Sequence, residues 1–74
     1  MNKDRRRALA KIREAIEELV CDLEALGNEE EEYRDSIPEA LQGGARYEES
    51  EAESEAIDGA LDSLREAVDL LTGR

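Results

Sequence analysis

The chain has no histidine, tryptophan or phenylalanine, and only one cysteine, one proline and one methionine. Without histidine, the usual general base and metal ligand near neutral pH is missing, so serine–histidine and cysteine–histidine chemistry have no starting point. The single Cys21 cannot close a disulfide within the chain, and no histidine–cysteine cluster offers a structural metal. Two tyrosines are the only aromatics, which leaves any core to aliphatic side chains. No apolar run approaches the roughly 20 residues that span a bilayer, and no signal-peptide core is present. A cytoplasmic protein without membrane contact is the expectation.

What is present is helical and charged. The 74 residues make one domain at most, and 42% of them are charged, for a net charge of −11. A chain this short rarely draws more than about 3–5 kcal/mol from its own core, so something must staple it. With disulfide and metal excluded, the staple expected is a second copy. Such charge would suit a disordered chain, but here the apolar residues are periodic rather than sparse.

The organising stretch is the break at 36–44, Ser-Ile-Pro-Glu-Ala-Leu-Gln-Gly-Gly. Pro38 has no amide hydrogen and a fixed φ, so an incoming helix must end before it. Ser36 is expected to accept hydrogen bonds as a cap, with Pro38 in the first turn of a short helical segment over about 37–42. Gly43 and Gly44 are expected to supply positive φ and let the chain reverse. The predicted fold is all-α. It is an antiparallel two-helix hairpin, coiled-coil-like, with helices over about 4–35 and 45–71 in a single domain spanning 1–74.

In the first helix Leu9, Ile12, Ile16, Leu19, Leu23 and Leu26 recur at spacings of 3, 4, 3, 4 and 3. That is a heptad seam, and Tyr33 and Ile37 continue its register. Glu30 breaks it. Ala8 and Ala15 widen the stripe on one side and Val20 on the other, as in a bundle whose helices approach closely. About 32 residues at 1.5 Å each make a rod of roughly 48 Å. Gly27-Asn28 falls mid-helix, but the register survives it, so the helix is read through with room for a bend.

In the second helix Ile57, Leu61, Leu64, Val68 and Leu71 continue at 4, 3, 4 and 3, and the register extends back to Ser54, Ser50 and Tyr47. The seam is thus strong towards the C-terminus and thin near the turn. A fully buried Leu or Ile is worth roughly 1.5–3 kcal/mol, most of which a serine forgoes. Tyr33, Ile37, Leu41 and Tyr47 are expected to gather as a cap over the turn, and Gly73-Arg74 to fray.

Charge is divided along the chain. Six cations against Asp4 in residues 1–13 leave +5, and 20 acids against four arginines in residues 14–74 leave −16. The first helix therefore opposes its own macrodipole, with cations at its start and the Glu29, Glu30, Glu31, Glu32 run near its end. In a hairpin that run lies beside Glu48, Glu49, Glu51, Glu53 and Glu55. A second hairpin docked antiparallel would set its basic head against this acidic turn. A homodimeric four-helix bundle is the expected assembly, its orientation left open.

Candidates for chemistry reduce to surface. Consecutive helical glutamates point in different directions and match no calcium-loop spacing, so Glu29–Glu32 is read as a solvated face without metal. Arg5, Arg6 and Arg7 could meet phosphate, but a strongly acidic body behind them disfavours direct nucleic-acid binding; they are read as a basic, partner-facing end. Cys21 lies on the outer face of the heptad register, either simply exposed or under a second contact surface with Val20, and has no base to activate it. Gly43-Gly44 lacks the spacing and the lysine of a phosphate loop. No catalytic residue, cofactor or metal is assigned, and the chain is not read as an enzyme.

Residues 31–48, Glu-Glu-Tyr-Arg-Asp-Ser-Ile-Pro-Glu-Ala-Leu-Gln-Gly-Gly-Ala-Arg-Tyr-Glu, resemble a turn segment of small uncharacterised bacterial and prophage-encoded proteins. Those read approximately Glu-Tyr-x-x-Ile-Pro-Glu-Asn-Leu-Gln-Gly-Ser-x-Arg-Tyr-Glu before an acidic helix. This chain has Ala40 where the pattern often has Asn, and Gly44 where it often has Ser, which removes a side-chain cap. The resemblance covers about a quarter of the chain. It implies a helical hairpin from a mobile-element setting and no activity.

Three functional readings remain. The first is a small structural or adaptor protein that self-associates through the heptad seam and docks onto a protein partner. The second is a nucleic-acid-mimicking inhibitor of a basic DNA-binding protein or nuclease, which would need exposed acids spaced like phosphates. The third is nucleic-acid contact through the basic N-terminus.

Overall fold

A computed structural model describes residues 2–73; the fraying expected of Arg74 lies outside them. Helix α1 runs Lys3–Asp35, a single 3-10 turn occupies Glu39–Leu41, and helix α2 runs Ala45–Leu71. The two helices fold back against each other as an all-α hairpin, a rod of 59 × 15 × 15 Å.

Local chemistry sets the ends. Asn2 caps α1, its Oδ1 accepting from the Arg5 amide at 2.8 Å. The helix thus starts one residue before the expected Asp4, on a cap that apolar spacing alone does not mark. Ser36 works in the sense opposite to that expected. It ends α1 rather than starting the next turn, its hydroxyl donating to the Tyr33 carbonyl at 2.6 Å and its amide to the Glu32 and Tyr33 carbonyls. Helix α1 reaches Pro38's immediate neighbourhood with carbonyls unpaired, and Ser36 is the nearest donor.

The glycines of the turn also differ from expectation. Gly73, beyond the end of α2, is the one positive-φ residue among those described. Gly43 and Gly44 reverse the chain without the left-handed region. The Gly44 amide donates to the Leu41 carbonyl at 3.0 Å, and Gly44 then caps α2 with φ −84° and ψ 170°. The 3-10 turn supplies the reversal, so positive φ is not needed. Gly44 is small for another reason: a Cβ there would sit 3.2 Å from the Leu41 carbonyl oxygen.

On α2 the predicted register holds along its length. Tyr47, Ser50, Ser54, Ile57, Leu61, Leu64, Val68 and Leu71 are the buried or half-buried line, at spacings of 3, 4, 3, 4, 3, 4 and 3. On α1 the line facing α2 is Leu9, Arg13, Ile16, Val20, Leu23, Gly27, Glu30, Arg34 and Ile37. This shares the column Leu9, Ile16, Leu23 with the predicted seam. The other predicted column does not face α2: Ile12, Leu19, Leu26 and Tyr33 are 53%, 59%, 52% and 46% exposed.

This division of the seam has a physical basis. Helix α1 is apolar over a stripe about three columns wide, and one partner helix covers only two. The hairpin takes the pair containing Val20 and Gly27. Gly27 permits the close approach, since a Cβ there would meet Ile57 Cγ2 at 3.3 Å. Helix α1 continues unbroken across it. The cap expected over the turn is open, because Tyr33 belongs to the outward column and Leu41 lies on the exposed 3-10 turn, leaving only Ile37 and Tyr47 half-buried.

Candidate interaction surface

The two long sides of the hairpin differ in chemistry. On one side, Glu24, Glu31, Asp58 and Arg65 flank the groove between the helices, with Glu17 and Asp69 beside it nearer the termini. Across this side Arg65 Nη2 reaches Glu24 Oε1 at 2.9 Å with both groups about half exposed. An ion pair in that setting contributes little stability. A second pair, Arg13–Glu17 at 3.6 Å, is internal to α1.

The opposite side carries the uncovered column of α1. Near the turn, its Tyr33 shares a groove with Arg46, Glu49 and Glu53 of α2. Following those two α2 columns in sevens towards the C-terminus gives Ala56, Ala60, Ser63, Ala67 and Leu70. Leu70 is the most exposed of the large apolar residues. Beyond the turn, then, this side pairs a row of large aliphatics on α1 with a row on α2 that is small from Ala56 to Ala67 and ends in Leu70. Ala8 and Ala15 border the α1 row. Cys21 is exposed and lies on the charged side of α1, away from this stripe.

Near the turn the interior is polar. Arg34 Nη1 donates to the Ser54 hydroxyl at 2.6 Å, to the Ser50 carbonyl at 3.2 Å and to the Ser50 hydroxyl at 3.4 Å. The Ser50 hydroxyl in turn donates to Glu30 Oε2 at 2.7 Å, and Ser50 is 3% exposed. Glu30, which interrupts the apolar seam, and the serines that thin it are therefore parts of one network. No buried side-chain nitrogen or oxygen among the described residues lacks a partner. The signal was present in the sequence: a Glu and an Arg four apart on α1 mirror two serines four apart on α2, at similar distance from the turn.

The remaining predicted residues stay apart. Arg5, Arg6 and Arg7 are exposed at the start of α1, at the far end of the rod from Glu29, Glu31 and Glu32, which are exposed near the turn. Among the described residues no group of three or more acids or thiols is placed to hold a metal ion. No helix among them is long and apolar enough to cross a membrane. No protein-family model matches the chain, and no curated protein or solved structure matches it.

Proposed function

We propose that the chain is a small acidic interaction protein that works as a homodimer, two hairpins burying their apolar sides in a four-helix bundle. Its task on this reading is binding, with the charged outer faces left to meet a protein partner. The supporting observation is the Ile12, Leu19, Leu26, Tyr33 column, four large side chains about half exposed in a row roughly 32 Å long.

Area supports the same reading. A compact monomer of 8.3 kDa would expose about 4,600 Å². The hairpin exposes 5898 Å². The excess, about 1,300 Å², exceeds the roughly 800 Å² that each partner buries in a standard interface. Among the described residues Val20 and Leu61 are the only buried apolar ones, too few to hold two helices of this length together.

Sedimentation equilibrium tests the proposal: the chain should sediment as a dimer, and Leu19→Glu with Leu26→Glu should abolish it. A second reading, mimicry of nucleic acid, draws on the acid-rich side that holds Glu17, Glu24, Glu31 and Asp58. It predicts salt-sensitive binding to a basic nuclease or DNA-binding protein, read by titration at low and high ionic strength.

A further inference from the structure

The partner proposed above is a second copy, and on that reading the structure also specifies how the copy is oriented. The exposed column of α1 is Ile12, Leu19, Leu26 and Tyr33, whose midpoint falls between Asp22 and Leu23. The small-residue row of α2 is Ala56, Ala60, Ser63, Ala67 and Leu70, whose midpoint is Ser63. Contacts across the hairpin set the relative level of these two points. Gly27 approaches Ile57, Arg34 binds Ser50 and Ser54, and Glu24 binds Arg65. Carried along both helices, these place Asp22 level with a position between Asp62, from Gly27 and Ile57, and Ala67, from Glu24 and Arg65, a span of little more than one helical turn that includes Ser63. Both rows on this side therefore share one centre to within about a turn.

We infer that two hairpins pack antiparallel through this side, about a two-fold axis that crosses the rod at the level of Asp22 and Ser63. An isologous interface must be self-complementary, and this centre makes both rows so. Helix α1 packs on its counterpart with Leu19 facing Leu26 of the second copy and Ile12 facing Tyr33. Helix α2 packs on its counterpart with Ala60 facing Ala67, Ala56 facing Leu70, and Ser63 facing itself. Large faces large on α1, and on α2 small faces small at the centre with Leu70 over Ala56 at each end.

The charge distribution requires the same orientation. The antiparallel arrangement brings Lys3 to Arg13 of one copy level with Glu32 to Gln42 of the other, beside Glu48, Glu49 and Glu53 at the start of α2. The +5 head thus meets the acidic turn at both ends of the bundle. A bundle with both turns at one end would instead stack two acidic tips and two basic heads, and like charges in contact select against it.

Cross-linking reads the orientation directly. In a Cys21→Ser background, Ser63→Cys puts a thiol on the proposed axis, whereas Leu41→Cys puts one on the exposed turn at the far end. Mild oxidation of the Ser63→Cys chain should give a covalent dimer of twice the chain mass, and that of the Leu41→Cys chain should not. Cross-linking through Leu41→Cys without Ser63→Cys would overturn the orientation. A dimer by sedimentation in which neither variant cross-links would overturn the position of the axis, leaving self-association standing. A folded monomer for the unmodified chain would remove both proposals.

Discussion

Arg34 reaches across the hairpin to place Nη1 2.6 Å from the Ser54 hydroxyl, joining α1 to α2 near the turn through a polar contact rather than an apolar one. The same guanidinium nitrogen holds the Ser50 carbonyl and hydroxyl, and Ser50 holds Glu30. A one-residue slide of α2 would shift these donors and acceptors out of reach while costing the aliphatic contacts little. The network therefore sets register where leucines are scarce.

Arg34→Ala should lower stability by about 1–3 kcal/mol, because Ser50 is almost fully enclosed and loses a charged donor. Urea titration followed by helical circular dichroism measures it. A loss below about 0.5 kcal/mol would mean that the network is dispensable.

Gly27 and Gly59 should respond oppositely to a side chain. At Gly59 nothing lies within 4 Å of an added Cβ, so Gly59→Ala should stabilise by about 0.5–1 kcal/mol through helix propensity. At Gly27 the Cβ already meets Ile57 Cγ2 at 3.3 Å, and Gly27→Leu should cost about 1–3 kcal/mol by forcing the helices apart. Thermal melts of the two variants make the comparison.

Gly43→Ala should change stability by less than about 0.5 kcal/mol, since the position is open and its φ is not positive. A loss of 1 kcal/mol or more in urea titration would show that the turn needs the left-handed conformation after all.

Much of this architecture was legible in the sequence, and the misses share a cause. The helix spans, the break at Pro38 and the register of α2 follow from apolar spacing and proline chemistry, which act locally. On α1 the spacing permitted two overlapping seams, one ending each pair on Ile12, Leu19 and Leu26, the other on Val20 and Gly27. Which seam faces α2 is decided by how closely the backbones approach at Gly27, a property of the pair of helices. Ser36 and Gly44 were read from residue preference alone. In the folded turn, the carbonyls that need donors and the space beside Leu41 assign them other tasks. Glu30 looked like a fault in the seam because its partners lie 20 residues away on the other helix.

Reversing the head charge with Arg5→Glu, Arg6→Glu and Arg7→Glu should weaken the dimer at least tenfold while leaving the helical content unchanged. Arg5 lies seven residues before Ile12 in the column placed at the proposed interface, and Arg6 and Arg7, exposed beside it, add charge at the same level of the rod. Sedimentation over a dilution series gives the shift in the dissociation constant. Equal affinity for both chains would show that the head does not lie against the other copy's turn.

The most direct test is the mass of the native chain in solution beside that of the Leu19→Glu, Leu26→Glu variant, measured by sedimentation equilibrium at micromolar concentration. Self-association through the exposed column predicts twice the 8.3 kDa chain mass for the first and a single, less stable chain for the second. A native chain that is fully helical and sediments at one chain mass would contradict it.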